Sequence, residues 1–400
     1  MVATVLYVAV YQLAYQGLYL EGKEADGVLR FQLQPPTVDS CNLFDAGCEA
    51  NYTPISETAY CAQTNGSYPG NKYDCAFYDD SDIGIFFDSS MLVATRISEY
   101  HQTRNCSITD SPNTCTQPWT LNGCTTNDPD DPACQPTLYY VASAEQFTVL
   151  FDHHLSVVEF DMNEESHAMT GMIRVSSGGD DNLCVKYGGT TSPWGVGSTD
   201  TAPCYISPNT TDTNLDYISL DVLMRAAGAS IDKVSDQAKV YRDSGVSIIV
   251  NIRYMNRRDW KSPEKPRYVY EIRIQEDSSY KYYRNVFDVT TTNRTVWNMH
   301  GVRINTIQSG EIKKFNFNNL LLQLTTSLTL LAMATVVTDM LLCYALPDRE
   351  VYTKEKFHLT EDMTDYRDRL ETGAVGEPRA SMEHDASYKR LVDSEGSGHA

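Results

Sequence analysis

The chain has 400 residues, 42% of them hydrophobic, so it is long enough to bury a substantial core. Its formal net charge at pH 7 is −21, from 53 acidic and 32 basic residues. This balance argues against binding to nucleic acid, which needs a basic surface, and suits a domain that attracts cations by its field, although plain solubility explains it equally well.

The first predicted element is an uncharged apolar run over residues 1–20. A transmembrane helix needs about 20 predominantly apolar residues, because its backbone N–H and C=O groups must be paired within the segment when no water is present. A cleaved signal peptide is the alternative interpretation, but a basic leading region and a small-residue cleavage site before Glu21 are missing. We therefore predict a first transmembrane helix over residues 1–20.

Residues 21–145 are predicted to form a cysteine-rich head, because turn-forming residues are frequent there and eight cysteines fall within it. Ten cysteines in all lie between the two apolar runs of the chain, without CxxC pairs. Such an even, dispersed set indicates disulfides formed in an oxidising compartment rather than a zinc site, and we predict no bound metal. The predicted disulfide cysteines include Cys106, Cys115, Cys124, Cys134, Cys184 and Cys204.

Glycosylation sequons also favour an extracellular or lumenal location for residues 21–316. Asn-x-Ser/Thr is the acceptor pattern for N-linked glycans in secreted domains, although chance alone gives a few such patterns in a chain of this length. The predicted acceptors are Asn51, Asn65, Asn105, Asn209 and Asn293.

Residues 146–316 are predicted to form a β-rich body. β-branched and aromatic residues alternate with polar ones there, which is typical of half-buried strands, and we expect an antiparallel sheet. The predicted strands cover residues 156–160, 169–175, 246–254, 268–274 and 280–289. Between them, residues 219–228 have helical spacing, with Gly228 at the C-terminal end. The adjacent His153 and His154 could bind a metal or sense pH, but strand alternation points them to opposite faces and favours two ordinary polar residues.

The second apolar run predicts a transmembrane helix over residues 317–346. One face of this helix carries two hydroxyl residues between two large apolar ones, and it either lines a water-filled pore or packs against other helices. These four residues are Leu322, Thr326, Thr329 and Met333. Spacing alone does not decide between the two interpretations. Residues 347–400 are charged and rich in small residues, which predicts a disordered cytoplasmic tail.

The last third of the chain carries motifs of a known family. Residues 315–357 contain Ala332-Met-Ala-Thr-Val336, Asp339 and Tyr352-Thr-Lys-Glu-Lys356, and this segment closely resembles the second membrane helix and following tail of the ATP-gated purinergic ion-channel receptors. The resemblance continues upstream, in matching order and approximate spacing, through residues 245–254, 266–270, 281–284, 294–295 and 301–304. It covers roughly the C-terminal two thirds of the chain well, and it covers the cysteine-rich head only in general character.

The resemblance implies a homotrimer, in which the second helices of three subunits surround a non-selective pore for Na⁺, K⁺ and Ca²⁺. Asp339 would belong to that pore, and no cofactor is implied. Tyr352 and Lys356 match the family's Tyr-x-x-x-Lys pattern, which stabilises surface expression. The family's cytoplasmic N-terminus, with its phosphorylatable Thr-x-Lys motif, is missing before residue 1, so we expect a truncated start.

The resemblance also implies a nucleotide site between subunits. Thr148 matches the family's adenine-contacting threonine, while Leu150 and Leu223 match apolar positions beside the base and the ribose. The phosphate contacts are different, because the family's three groups of basic residues fall on segments without lysine or arginine. These are residues 32–36, residues 276–278 and Asn298.

Each lost charge-assisted contact to a phosphate typically costs about 1.5–3 kcal/mol, so the loss of all of them could abolish ATP binding. The cations that could replace the missing contacts are Arg30, Arg273, Lys281, Arg284 and Arg294, of which Arg284 and Arg294 are better explained as salt-bridged strand residues. We predict Arg273 and Lys281 as ligand contacts.

Three functional hypotheses follow from the sequence. The first is an extracellular ligand-gated cation channel in a plasma or organelle membrane, opened by ATP or by another stimulus if ATP no longer binds. The second is a non-conducting adhesion or receptor ectodomain anchored in the bilayer by two helices. An ectoenzyme is the weakest hypothesis, because the sequence has no phosphate loop, HExxH, GxSxG or CxxC motif.

Overall fold

The structure is a computed structural model that describes residue 11 and residues 15–37, 46–107, 114–124, 131–174, 204–206, 216–235, 238–257, 263–275, 278–287 and 292–356. The chain forms two compact units, one of Val5–Gln323 and one of Leu324–Ala400 together with Met1–Thr4. The predicted first transmembrane helix lies mostly outside the described residues.

The strands of the first unit are β1 Leu20–Glu24, β2 Leu29–Gln34, β3 Asp74–Ala76, β4 Gly84–Phe86, β5 Ser90–Thr103, β6 Thr120–Leu121, β7 Thr137–Val141, β8 Thr148–Val157, β9 Met162–Glu165, β10 Thr170–Arg174, β11 Cys204–Ile206, β12 Asp216–Ser219, β13 Val246–Met255, β14 Arg267–Gln275, β15 Lys281–Phe287 and β16 Asn293–Phe315. The helices are α1 Asp80–Ile83, α2 Leu220–Ala226, α3 Tyr241–Ser244, α4 Phe317–Met340 and α5 Arg349–Lys356. Short 3₁₀ turns at Ile55–Glu57, Pro132–Cys134, Ala144–Gln146, Val158–Phe160 and Ser166–Ala168 connect them.

β16 is the central strand of a twelve-stranded sheet and the longest strand described, with 23 residues. It pairs with β5, β15 and β1 in antiparallel fashion and with β13 in parallel fashion. Its register with β5 shifts at a bulge between His300 and Gly301. Gly301 is required there, because a Cβ atom would lie 2.0 Å from the carbonyl oxygen of Val93.

The sheet is mixed rather than antiparallel, which corrects the sequence prediction. β13 runs parallel to β16, β10 parallel to β14, and β3 parallel to β7. Parallel pairs need long crossover connections, and the segments between these partners are long enough to provide them. Strand alternation in the sequence predicts which face of a strand is buried, but it carries no information on the direction of the neighbouring strand.

A four-stranded sheet contains β12, β8 and β2 in that order, with β9 paired to β8. β8 ends at Val157, so the predicted strand over residues 156–160 is largely wrong. Residues Val158–Phe160 form a 3₁₀ turn that ends at Asp161, whose φ of +50° is left-handed. A hydrophobic core of apolar side chains from both sheets and from α2 fills the unit.

The predicted head and body share this first unit. β5 belongs to the predicted head, yet its longest pairing is with β16 of the predicted body. A buried cation also joins the two segments: the Arg242 guanidinium donates to Asp232 at 2.7 and 2.9 Å and to Glu145 at 3.0 Å. It lies 3.6 Å from the ring centre of Tyr60. The boundary predicted at residue 145 therefore separates segments by composition, and both contribute to one compact unit.

Disulfides join Cys61 to Cys75, Cys106 to Cys115 and Cys124 to Cys134. Four of the six predicted disulfide cysteines are thus paired. Cys184 lies outside the described residues, and Cys204 begins β11 without a described side chain.

The second unit contains most of the apolar helix. The candidate membrane segment is Phe317–Ala345, with a mean hydropathy of 1.9 and no buried part, and it agrees with the predicted span 317–346. It consists of α4 and a π-helical turn over Leu341–Ala345. α5 forms within the predicted disordered tail, so the prediction is wrong for Arg349–Lys356. Residues 357–400 lie outside the described residues.

Candidate functional site

The structure places Thr148 and Leu150 on the same face of β8 in the small sheet. Leu150 is buried and Thr148 is half-buried. On the neighbouring strand β2, Gln34 lies opposite Thr148 and Gln32 lies opposite Leu150. The segment in which the family carries its first basic pair is therefore next to the predicted base contacts, but it presents neutral amides there.

Two other residues of this region are already engaged within the chain. The Arg30 guanidinium on β2 pairs with the Asp152 carboxylate at 2.8 Å. Leu223 is fully buried in α2 and belongs to the hydrophobic core. A ligand contact of Leu223 would require α2 to move, so the structure brings Thr148 and Leu150 together but not Leu223.

A second candidate surface lies on the large sheet, where four basic side chains gather. Met299, Val302 and Ile304 of β16 face the hydrophobic core, so His300 and Arg303, which alternate with them, face away from it. Lys281 on β15 and Arg96 on β5 lie directly opposite His300 in the strand register. We call Arg96, Lys281, His300 and Arg303 the cation cluster.

The cation cluster creates a positive potential that is visible in the pKa of His300. Burial, together with the charges of Arg96 and Lys281, lowers the pKa of the His300 imidazole to about 4. His300 is therefore neutral at pH 7, and its Nδ1 lies 3.2 Å from the Ser244 carbonyl oxygen. The same positive potential that disfavours a charged imidazole would stabilise an anion near Lys281.

Local partners hold the two arginines of the cluster. Arg96 pairs with Asp243 at 2.9 Å, and its side chain is largely buried. Arg303 lies 4.5 Å from the ring centre of Tyr280. Among the residues that the structure describes, Asp243 is the carboxylate that pairs with this group of three formal positive charges, and the Lys281 side chain is exposed. This arrangement can bind an anion such as a phosphate group.

Asn298, which the sequence resemblance aligns with the family's last phosphate lysine, is two residues before His300 on β16. It lies between Ser98 on β5 and Tyr283 on β15 in the register and is 8% exposed. Its side-chain oxygen has no hydrogen-bond partner among the described residues.

The predicted cation Arg273 lies elsewhere on the large sheet. It is exposed on β14 opposite Ile249, which in turn lies opposite Asn305 on β16. Lys281 lies opposite His300, so the two predicted cations are separated along β16 and by the width of β13. The structure does not bring Arg273 and Lys281 together within one chain.

Sequence reasoning missed Arg96, His300 and Arg303 as members of an anion-binding surface. The segment 301–304 contributed only to the family resemblance. Arg96 and Lys281 are far apart in sequence and become neighbours only because β5 and β15 pair with the same part of β16. The sequence signal that could have indicated this surface is the alternation of basic and apolar residues on β16.

The predicted pore face lies on α4. Leu322 and Met333 are 62% and 59% exposed, and the Thr329 hydroxyl donates to the Thr325 carbonyl oxygen at 2.9 Å. Apolar side chains on the other faces of α4 are exposed as well, so exposure within one chain does not distinguish a pore face from a lipid face. Asp339 pairs with Lys356, so two predicted functional residues, one on α4 and one on α5, contact each other.

Tyr352 is exposed on α5. The predicted glycan acceptors Asn51, Asn65, Asn105 and Asn293 are all exposed, and Asn209 lies outside the described residues.

Comparisons with known proteins identify what this chain is similar to. Residues 210–359 match the sequence profile described as ATP P2X receptor, which includes β12 to β16, α4 and α5. P2X receptor A of Dictyostelium discoideum is 28% identical over 385 residues, covering 94% of this chain and 89% of the relative. P2X receptor C of the same organism is 26% identical over 371 residues, covering 90% and 85%. The chain is thus similar to P2X receptors, over residues 210–359 by the profile and over nearly its whole length by these relatives.

Among solved structures, an invertebrate P2X receptor from the Gulf Coast tick, crystallised with ATP and Zn²⁺, has a TM-score of 0.48 and 14% identity, covering 85% of this chain and 98% of that one. P2X receptors are ligand-gated channels rather than enzymes, and they are membrane proteins with an extracellular domain. The β-rich unit and the candidate membrane helix of this chain are compatible with that organisation.

Proposed function

We propose that this protein is a member of the P2X receptor family and forms a homotrimeric, non-selective cation channel that opens when an extracellular nucleotide such as ATP binds between its subunits. The observation that carries the proposal is the continuity of β16 with the membrane helix. β16 carries two members of the cation cluster, pairs with four other strands, and ends at Phe315, just before α4 begins at Phe317. A displacement of β16 by a ligand is therefore passed directly to α4.

The two candidate surfaces are complementary in chemistry. The β8 surface, with Thr148 and Leu150, offers a hydroxyl and an apolar contact suited to a base. The cation cluster offers Lys281 and Arg303, which suit a phosphate chain. They lie on different sheets. In the proposed trimer a single ligand would contact Thr148 of one subunit and Lys281 of its neighbour. This arrangement makes nucleotide binding dependent on trimer assembly.

The pore would be lined by the α4 face that contains Leu322, Thr326, Thr329 and Met333, with Asp339 toward its cytoplasmic end. Hydroxyl groups along this face can replace part of the hydration of Na⁺, K⁺ or Ca²⁺, and the larger apolar side chains can close the pore by excluding water. The net charge of −21 favours cations near the channel entrance.

The direct test is current recording from the purified protein in a planar bilayer, with and without ATP. Lys281→Gln and Arg303→Gln should each lower the apparent affinity for ATP by about tenfold, since each removes a charge-assisted contact. Lys239→Gln, which removes one positive charge from an exposed position, is the matched control. Unchanged ATP responses in both cluster variants would contradict the role of the cation cluster while leaving the channel function intact.

A specific observation favours a second candidate function, a family channel that no longer responds to ATP. Gln32 and Gln34 stand where basic side chains would meet the phosphates. In that case ATP evokes no current, while another stimulus such as acid or a different anion does. A bilayer that stays silent under every stimulus would instead favour the non-conducting adhesion protein.

A further inference from the structure

The end of β13 contacts both segments that lead toward the predicted membrane helices. β13 pairs with β16 in parallel fashion up to Met255, which lies opposite Glu311. The next two residues, Asn256 and Arg257, each donate side-chain hydrogen bonds to the backbone of a different segment. Asn256 binds β16 four residues before α4 begins, and Arg257 binds the end of the first apolar run.

The Asn256 amide continues the pairing of β13 with β16 beyond the last paired residue of the strand. Its Nδ2 group donates to the Lys313 carbonyl oxygen at 2.7 Å, and its Oδ1 atom accepts from the Lys313 N–H at 2.8 Å. Asn256 is buried, with 3% of its surface exposed. Displacing such a side chain is costly, because a donor and an acceptor would both be left unpaired away from water. Asn256 therefore fixes the position of Lys313 relative to β13.

The Arg257 guanidinium caps the end of the first apolar run. It donates to the carbonyl oxygens of Gln16 and Tyr15 at 3.0 and 3.1 Å. The helical backbone of these two residues ends at Gly17, whose φ of +66° is left-handed. The last carbonyl groups of a helix have no partner within it, and the planar guanidinium can donate to two of them at once. Gly17 also leaves room for the guanidinium, since a Cβ atom there would lie 2.2 Å from Arg257 Nη1.

The same two segments contact each other beside the start of α4. The Asn316 amide donates to the Glu21 carboxylate on β1, and its oxygen accepts from N–H groups in the first turn of α4. The Asn319 amide donates to the Leu20 carbonyl oxygen at 3.4 Å. The end of β13 is therefore joined to two segments that are themselves hydrogen-bonded to each other.

We propose that Asn256 and Arg257 are positioning residues for gating, which transmit a displacement of β13 to both membrane segments at once. Asn256 carries the displacement to β16 and α4, and Arg257 carries it to the first apolar run. The inference rests on the channel function proposed above but not on which ligand binds, because it concerns only the connection between β13 and these segments. A purely structural cap would change the stability of the protein without changing the balance between closed and open states.

The test records single-channel currents of the full chain in a planar bilayer. The stimulus is saturating ATP, or acid if only acid opens the wild type. Arg257→Ala and Asn256→Ala should each lower the ratio of open to closed time about tenfold, because each removes two hydrogen bonds of the connection. The current through one open channel should be unchanged, since neither residue lies on α4.

Arg253→Ala is the matched control. It removes an arginine from the same strand, at an exposed position where the guanidinium pairs with Glu271 on β14. Its ratio of open to closed time should equal that of the wild type.

Arg257→Lys distinguishes paired donors from charge. The ammonium keeps the positive charge but lacks the planar fork of the guanidinium, so the ratio should lie between those of the wild type and Arg257→Ala. A wild-type ratio in Arg257→Lys would show that charge alone is sufficient, and it would overturn the role assigned to the paired donors.

Two further outcomes would overturn the inference while leaving the channel function intact. One is a ratio in Arg257→Ala and Asn256→Ala equal to that of Arg253→Ala. The other is a higher ratio with openings in the absence of the stimulus, because the two residues would then hold the closed state rather than transmit the opening. A wild type that conducts under no stimulus would overturn the proposed function and this inference together. Thermal unfolding of the same preparations verifies that each variant is folded.

Discussion

The imidazole of His300 illustrates how cross-strand neighbours control the chemistry of a single residue. Its pKa is lowered to about 4 by burial and by the charges of Arg96 and Lys281, compared with an ordinary value of 6.5. Between pH 6.5 and pH 4 the unfolded chain therefore binds a proton that the folded chain does not. The contribution of neutral His300 to the free energy of unfolding is fully present above pH 6.5 and is lost as the pH falls toward 4.

We predict that His300→Asn weakens this acid sensitivity. The effect should be on the order of 1 kcal/mol near pH 4, because the side chain is partly solvated. The measurement is the melting temperature of the full chain as a function of pH. His101→Asn, at an exposed position, is the control, and a His300→Asn profile that matches the wild type would contradict the prediction.

Arg242 is the second residue whose environment has a large energetic consequence. Burial lowers its pKa, but the hydrogen bonds and charges of Asp232 and Glu145 outweigh burial, and the net pKa is raised. The nearby Tyr60 hydroxyl has its pKa raised to about 12, mainly by burial. The guanidinium therefore stays charged at every accessible pH, and its removal leaves two carboxylates without their cation.

Arg242→Met is predicted to destabilise the first unit by about 3 kcal/mol, since breaking a buried ion pair leaves uncompensated charge in a poorly solvated site. Arg30→Met breaks the exposed pair with Asp152 and should cost less than about 1 kcal/mol. Denaturant unfolding of both variants in detergent measures the difference. Similar losses for the two substitutions would refute a special role for the buried cation.

At the scale of elements, the contact between α4 and α5 gives a physical basis for the Tyr-x-x-x-Lys pattern. Asp339 is the only charged residue between Phe315 and Pro347, and a carboxylate within a bilayer segment is costly unless it is paired. Lys356 on α5 supplies the partner. The pattern would then act by neutralising Asp339 and holding α5 against α4.

A charge-exchange experiment tests this contact. Asp339→Lys and Lys356→Asp should each lower the amount of protein at the cell surface severalfold, because each leaves like charges together. The double exchange should restore most of the surface signal, measured by biotinylation of intact cells. Tyr352→Phe, which keeps the charges, is the control, and a double variant as poor as the single ones would rule out the pair.

α2 is an element that local sequence signals predicted well. The Ser219 hydroxyl accepts from the Val222 N–H at 3.3 Å at its start, and Gly228 adopts a φ of +80° just after its end. The capping serine and the terminating glycine both lie next to the helix in the sequence. The pattern over residues 219–228 was therefore sufficient to predict where the helix begins and ends. α5 was missed because its short, mostly polar sequence was interpreted as part of the charged tail, and its last residue, Lys356, pairs with Asp339 on α4.

At the scale of the whole molecule, the exposed acceptors report the side of the membrane on which the β-rich unit lies. Asn51, Asn65, Asn105 and Asn293 occur in different parts of the chain, and each is exposed in the first unit. We predict that all of them are lumenal or extracellular. The tail beyond Lys356 contains no sequon, so glycans would mark one side only.

The expected outcome is a mass decrease of the expressed receptor on treatment with an N-glycosidase, with a smaller decrease for each Asn→Gln variant. Asn71→Gln, an exposed asparagine outside any sequon, should leave the mass shift unchanged. An expressed receptor whose mass is insensitive to the enzyme would contradict the predicted topology.

The sequence by itself determined the features that depend on local composition and period. These include the apolar span near residues 317–346, most strands of residues 246–289, the ends of α2, the disulfide character of the region and the family resemblance. Hydrophobic period and length are read from consecutive residues, so no knowledge of partners is needed.

Only the tertiary structure decided which distant residues meet. The parallel pairing of β13 with β16, the burial of Leu223, the separation of Arg273 from Lys281 and the gathering of Arg96 with Lys281 beside His300 all depend on strand register. Register is fixed by side-chain packing across the sheet rather than by the sequence of any one strand. These contacts could therefore not be derived from the amino-acid sequence alone.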